Sequence, residues 1–251
     1  MSIKKNILNI LIISILISYS ATLDFNYLKQ YFYSFLQKNV SNKAFIKAAE
    51  AFRKLTPKEY PNNLQQNIKA FPNHSSTIKK NNGYIEDQSQ YTDMVYGIQT
   101  ISQSGCNLIA VYNALYDLTE EENINFPEII DYFEQDGNGI ILYGYFGTAP
   151  QAAEEYFRKL GFKTQSSTEK EDYLNIQNSC DAFILTIYNN VDDITRSLHT
   201  LSISKRNGKF WVHNNGGYGH LIEYNSILDI LEKINNGKSK DIMLIGIQKK
   251  Q

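Results

Sequence analysis

Leu198-His199-Thr200-Leu201-Ser202-Ile203-Ser204-Lys205-Arg206-Asn207-Gly208-Lys209-Phe210-Trp211-Val212-His213-Asn214 reads as a β-hairpin. Two runs of strand-forming residues flank Asn207-Gly208, the pair a tight type I′ turn prefers because both central residues need positive φ. With a two-residue loop, opposed residues carry numbers that sum to 415, so Arg206 faces Lys209, Ile203 faces Val212 and Leu201 faces Asn214. Side chains alternate along a strand. His199, Leu201 and Ile203 therefore share a face with Val212 and Asn214, while His213 and Asn215 point the other way. His199 and Asn214 become diagonal neighbours, close enough for a side-chain amide to reach an imidazole nitrogen. A one-residue slip would exchange these faces.

Working outward, further strands are expected at Ala182 to Tyr188 and Ile242 to Gln248, with a helix from Ile227 to Ile234. Upstream the pattern is helical. Phe126-Pro127 opens a helix that runs to Gln135 and is closed by Asp136-Gly137-Asn138-Gly139. Thr148 is placed to cap the next helix, with Gln151 completing a capping box and Gly161 ending it. Helices first and an antiparallel sheet afterwards make an α+β plan.

The helix that matters most follows Tyr96-Gly97-Ile98-Gln99-Thr100-Ile101-Ser102-Gln103-Ser104-Gly105-Cys106-Asn107. Leu108, Ile109, Tyr112, Leu115 and Leu118 recur at three and four residues, giving a helix with one buried face and Cys106 at its amino end. Unpaired N–H groups and the positive end of the helix dipole favour thiolate there, and the same N–H groups can hold an oxyanion. Cys106 is thus a candidate nucleophile, His199 a candidate base and Asn214 a candidate orienter of the imidazole.

The order Cys106, His199, Asn214 resembles that of the papain-like cysteine peptidases. Phe210-Trp211-Val212-His213-Asn214-Asn215-Gly216 is similar to that superfamily's aromatic-apolar strand running into its orienting Asn. Tyr-Gly, Thr-Ile and Ser-Gly-Cys resemble the opening of the bacteriocin-processing, double-glycine leader peptidases. The likeness covers roughly Tyr96 to Gly216. It implies a papain-like fold, a nucleophile helix packed on the sheet that carries the base, and hydrolysis of a peptide or amide bond through a thioester. Asn107 stands where the family has Gly, and Thr100 stands where it has its oxyanion glutamine. Gln99, Thr100 and Gln103 all remain candidates for that donor.

Other chemistries fit less well. Cys180 could pair with Cys106 in an exported protein, which would leave no thiolate; otherwise it is a buried thiol at the mouth of an inner strand. The same triad would serve an amidase or a transamidating enzyme, and an inert Cys106 would leave a non-catalytic binding module on the same scaffold. His220 is an alternative base without an Asn diagonal to it. Four histidines and two cysteines offer no close pair at a zinc spacing, no Lys follows the Gly147 turn where a phosphate loop needs one, and no cofactor is expected.

Lys4 and Lys5 before the apolar run Ile7 to Ile17, followed by Ser18, Ser20 and Ala21, form a signal-peptide pattern over 1–20, or a signal anchor. The protein is therefore expected to be secreted or extracytoplasmic, with no membrane contact beyond that segment. Residues 21–56 read as a helical extension or propeptide, 57–83 as a linker rich in Asn, Gln, Lys and Ser, and 84–251 as the peptidase domain. A net charge of -1 without a basic tract argues against nucleic acid, leaving a peptide or protein substrate as the expected partner. The 18 tyrosines and 13 phenylalanines suit core packing, and would also suit a groove that grips a peptide.

Overall fold

The computed structural model describes residues 35–55, 60–121, 124–135, 138–189, 198–216 and 222–250. The expected leader over 1–20, most of the first helix of the extension, the Asp136-Gly137 closure and His220 lie outside them. The architecture is α+β, with helices packed on a six-stranded antiparallel sheet.

In chain order the elements are α1 (Asn42–Leu55), α2 (Asn63–Ala70), α3 (Ser75–Lys80), the short β1 (Val95–Tyr96) and β2 (Gln99–Thr100), α4 (Ile101–Ser104), α5 (Cys106–Thr119), α6 (Phe126–Glu134) and α7 (Pro150–Lys159). Then come β3 (Lys163–Ser167), α8 (Tyr173–Ser179), β4 (Ala182–Tyr188), β5 (Leu198–Arg206), β6 (Lys209–His213), β7 (Glu223–Tyr224), α9 (Ile227–Lys233) and β8 (Lys240–Gln248). The sheet runs β3-β8-β4-β5-β6-β7.

β4 is apolar almost throughout and buried at every position, as a central strand covered on both faces must be. Its alternation divides the core in two. Ala182, Ile184 and Tyr188 pack toward α1, α5, α6 and α7. Phe183, Leu185 and Ile187 pack with Leu201, Ile203, Phe210 and Val212 against α8 and α9. Burying an aliphatic or aromatic side chain of this size stabilises a fold by about 1.5–3 kcal/mol, so the two faces together dominate the energetics.

The β5–β6 hairpin has the register expected from its turn, with Ile203 opposite Val212 and Arg206 opposite Lys209. Asn207 and Gly208 both take positive φ, 49° and 75°. α5 differs from expectation in its environment. Leu108 through Ala114 are all buried, so this helix has no open face in its first two turns. It lies between the sheet and α6.

The stretch 57–83, expected as a linker, is corrected: it carries α2, a 3-10 turn at Phe71–His74 and α3. Few apolar residues are needed because a buried amide does the anchoring. Asn67, wholly buried, donates from Nδ2 to the Val95 carbonyl at 2.9 Å and accepts from the Val95 N–H at 2.8 Å. α1 shares the main core as well, through Phe45 and Ala49, and Arg53 forks onto Glu155 at 2.7 and 2.8 Å.

Thr148 does not cap α7. Its hydroxyl is bonded to the Tyr96 hydroxyl at 2.9 Å, and α7 begins instead at Pro150, whose missing N–H and fixed φ suit a first helical position. Two elements were not among those expected. β3 is a polar edge strand whose Thr164 and Ser166 hydroxyls donate to the Glu154 carboxylate at 3.1 and 2.7 Å. α8 is only seven residues long, and it buries Tyr173 and Ile176.

Candidate active site

Cys106 is brought to the sheet by a tight entry. Thr100 caps α4 in a capping box with Gln103, and α4 runs through Gly105 straight into α5. A Cβ at Gly105 would sit 2.7 Å from the Ile101 carbonyl oxygen and 2.6 Å from its Cγ2. Only glycine fits this corner. Cys106 consequently occupies the first position of a 14-residue helix, half-exposed, with the first-turn N–H groups that a helix leaves without intrahelical partners around it.

β5 delivers His199 to the same place. The Cys106 thiol and the His199 imidazole are hydrogen-bonded. Burial pushes the thiol up, but the bond and charge of His199, together with the backbone N–H and hydroxyl of Thr200, outweigh it, and the thiol ionises below the ordinary cysteine value. Burial likewise pushes His199 down, and the bond to Cys106 and its charge reverse this to hold the imidazole above its ordinary value. Both directions favour a thiolate–imidazolium pair.

The structure places Asn214 beside His199, with one difference from expectation. The imidazole Nε2 is 2.7 Å from the main-chain carbonyl oxygen of Asn214, not from its amide. A carbonyl only accepts, so Nε2 carries a proton and Nδ1 is the ring nitrogen left to take one up. Asn214 reaches this position because it has φ +61°, a left-handed conformation that Asn tolerates better than most residues. Its side chain turns away: Oδ1 accepts from the Gln88 N–H at 2.9 Å. Strand alternation cannot foresee this, since Asn214 has already left β6.

His213 faces the α5 side of the sheet, where Tyr84 packs against Tyr116, and is a satisfied buried histidine. Nδ1 is bonded to Glu86 Oε1 at 2.7 Å, Nε2 to the Ser204 hydroxyl at 2.9 Å, and the ring stacks on Tyr84 with centroids 3.8 Å apart. Cys180 is free, as is Cys106. Cys180 belongs to the core cluster on the face of the sheet away from α5, and burial pushes its thiol up. No disulfide joins the two.

Of the three oxyanion candidates, Thr100 and Gln103 are bonded to each other, the Thr100 hydroxyl and N–H donating to Gln103 Oε1 at 3.2 and 3.1 Å. The Gln99 side chain makes no hydrogen bond among the described residues. Sequence reasoning missed Thr200, whose hydroxyl lies 3.2 Å from that of Thr186. Its only signal was adjacency to His199, on a strand face that also buries Ser202 and Ser204. It also missed Glu86 and Gln88, which hold Asn214 from a segment 126 to 128 residues earlier.

A depression of about 500 Å³ lined by Asn62, Gln65, Gln66, Lys69, Asn73 and Asp93 lies along α2, away from Cys106 and His199. It holds no nucleophile, so the chemistry and not the hollow locates the site. Among the described residues no three His, Cys, Asp or Glu side chains are grouped to hold a metal ion, and no helix is long and apolar enough to cross a membrane. No family model, curated protein or solved structure matches the chain.

Proposed function

We propose that the chain is a papain-like cysteine peptidase that hydrolyses a peptide or amide bond, exported by the segment over 1–20. The observation that carries this reading is the Cys106–His199 pair at the start of a buried helix, its imidazole anchored by the Asn214 carbonyl. In the resting pair the thiol proton resides on Nδ1. The thiolate attacks the substrate carbonyl carbon, forming the C–S bond of a tetrahedral oxyanion. First-turn N–H groups of α5 and the uncommitted Gln99 amide stand nearest in sequence to receive that charge. His199 returns its proton to the leaving amine, the C–N bond breaks, and a thioester remains on Cys106. His199 then takes a proton from water, hydroxide attacks the thioester, and the thiol is regenerated as the acid product leaves.

The placement of α1 in the main core, with Arg53 forked onto Glu155, supports a part of the extension that stays attached rather than one discarded on maturation. The experiment is cleavage of a mixed peptide library by the mature protein, with and without prior alkylation. Cleavage that alkylation abolishes supports the reading, and a free, alkylatable Cys106 with no cleavage of any peptide opposes it in favour of a binding module.

A further inference from the structure

We propose that Glu86 and Gln88 are positioning residues for the His199 base, holding the left-handed turn at Asn214 whose carbonyl anchors the imidazole. The inference rests on reading Cys106 and His199 as the reacting pair.

Asn214 sits in a conformation that costs a side-chain-bearing residue about 1 kcal/mol or more unless its surroundings hold it. Every polar atom of the residue is used. Its carbonyl takes the proton of His199 Nε2 at 2.7 Å, its N–H donates to Glu86 Oε2 at 3.2 Å, Oδ1 accepts from the Gln88 N–H at 2.9 Å, and Nδ2 lies 3.5 Å from Gln88 Oε1. Three of these four contacts go to residues 86 and 88. The segment therefore sets where the carbonyl points.

The clamp is itself fixed. Glu86 is buried, and its other oxygen is bonded to His213, which is held by Ser204 and stacked on Tyr84. Asp87 Oδ1 accepts from the Ser89 N–H at 3.0 Å and fixes the turn that follows. Gln88 reaches across to the other arm of the site, donating from Nε2 to the Ser102 carbonyl at 2.9 Å in α4, the short helix that leads into Cys106. One short stretch thus ties the helix before the nucleophile to the turn that orients the base. Losing the Glu86 carboxylate would leave the Asn214 N–H buried without an acceptor. The turn would relax, and the imidazolium would lose the carbonyl that favours it.

The test is the rate of iodoacetamide alkylation of Cys106, followed by mass spectrometry across about pH 5 to 9. In wild type the rate rises well below the ordinary thiol range. Glu86→Ala is expected to move that rise upward by about one pH unit, a roughly tenfold slower reaction at the acid end. Glu86→Gln stays near wild type, because its oxygen can still face the Asn214 N–H while its amide donates to the other tautomer of His213. Ser204→Ala removes a partner of the same buried histidine without touching Asn214, so it lowers the unfolding midpoint and leaves the profile in place. An unshifted Glu86→Ala profile, or a Ser204→Ala profile displaced as far, overturns the positioning role. If Glu86→Ala does not fold, Glu86→Asp carries the test, since its shorter side chain cannot hold both His213 and the Asn214 N–H: displacement in the same direction supports the role, and a wild-type curve overturns it. A wild-type Cys106 that alkylates like an ordinary free thiol defeats the peptidase reading together with it.

Discussion

Asn214→Gly separates this site from one in which the asparagine amide orients the imidazole. The contact to His199 Nε2 is made by the main-chain carbonyl at 2.7 Å, and φ at Asn214 is +61°. Glycine keeps that carbonyl and adopts that φ without steric cost. What it loses is the Oδ1 acceptor for the Gln88 N–H, a bond of 2.9 Å, which costs about 1–3 kcal/mol of stability if the donor is left unpaired. Asn214→Ala loses the same bond and also bears about 1–2 kcal/mol of left-handed strain. That strain is relieved by turning the carbonyl away from His199, so the competent geometry is depleted by a factor of roughly five to thirty. Peptide cleavage, or alkylation of Cys106 at mildly acid pH, should rank the variants wild type, then Gly within about threefold, then Ala lower by that factor. Circular dichroism melts would show Gly and Ala both destabilised. If Gly is as impaired as Ala, the side chain and not the backbone orients the base, and the reasoning fails.

Other expectations follow from the same geometry. Burial raises Glu134 to about 7, with donors from Asn63 and Gly97 opposing. The fold prefers the neutral carboxyl, so this contribution is complete below the ordinary value of 4.5 and fades as pH rises through about 7, a loss of up to about 3 kcal/mol. Denaturant melts of Glu134→Gln should lack that slope and exceed wild type in stability on the alkaline side. Gly246→Ala would place a Cβ 2.5 Å from Ile176 Cγ2 and 2.7 Å from Cys180 Sγ; a loss of about 1–3 kcal/mol in urea titration is expected. Cys180→Ala should keep wild-type cleavage with a lower melting temperature, since this thiol packs in the far core cluster. Gln99→Ala should lower kcat by about a hundredfold if it donates to the oxyanion, whereas Gln103→Ala should cost only capping stability, read by melting and kinetics side by side.

The β5–β6 hairpin and the helix that begins at Cys106 were legible because local rules dictate them. Asn207-Gly208 fixed the hairpin register, and the apolar spacing from Leu108 fixed α5. The 57–83 stretch was misread because hydrophobic patterning has no signal for a helix anchored by one buried amide, Asn67 paired with Val95. β3 hid for the opposite reason. Its polar side chains satisfy a buried carboxylate, Glu154, and do not alternate with apolar ones. At the site, order and spacing led to Cys106, His199 and Asn214 as candidates, but not to the Asn214 carbonyl as the atom that meets His199. That depends on one left-handed residue held from residues 86 and 88, a long-range arrangement with no counterpart in local sequence.

The central claim is that His199 activates Cys106, and labelling with a thiol-reactive peptide electrophile tests it most directly. Mass spectrometry should find wild type modified at Cys106 with Cys180 untouched, and His199→Ala slowed by two orders of magnitude or about that. Equal labelling of both proteins, or modification at Cys180 instead, would contradict it.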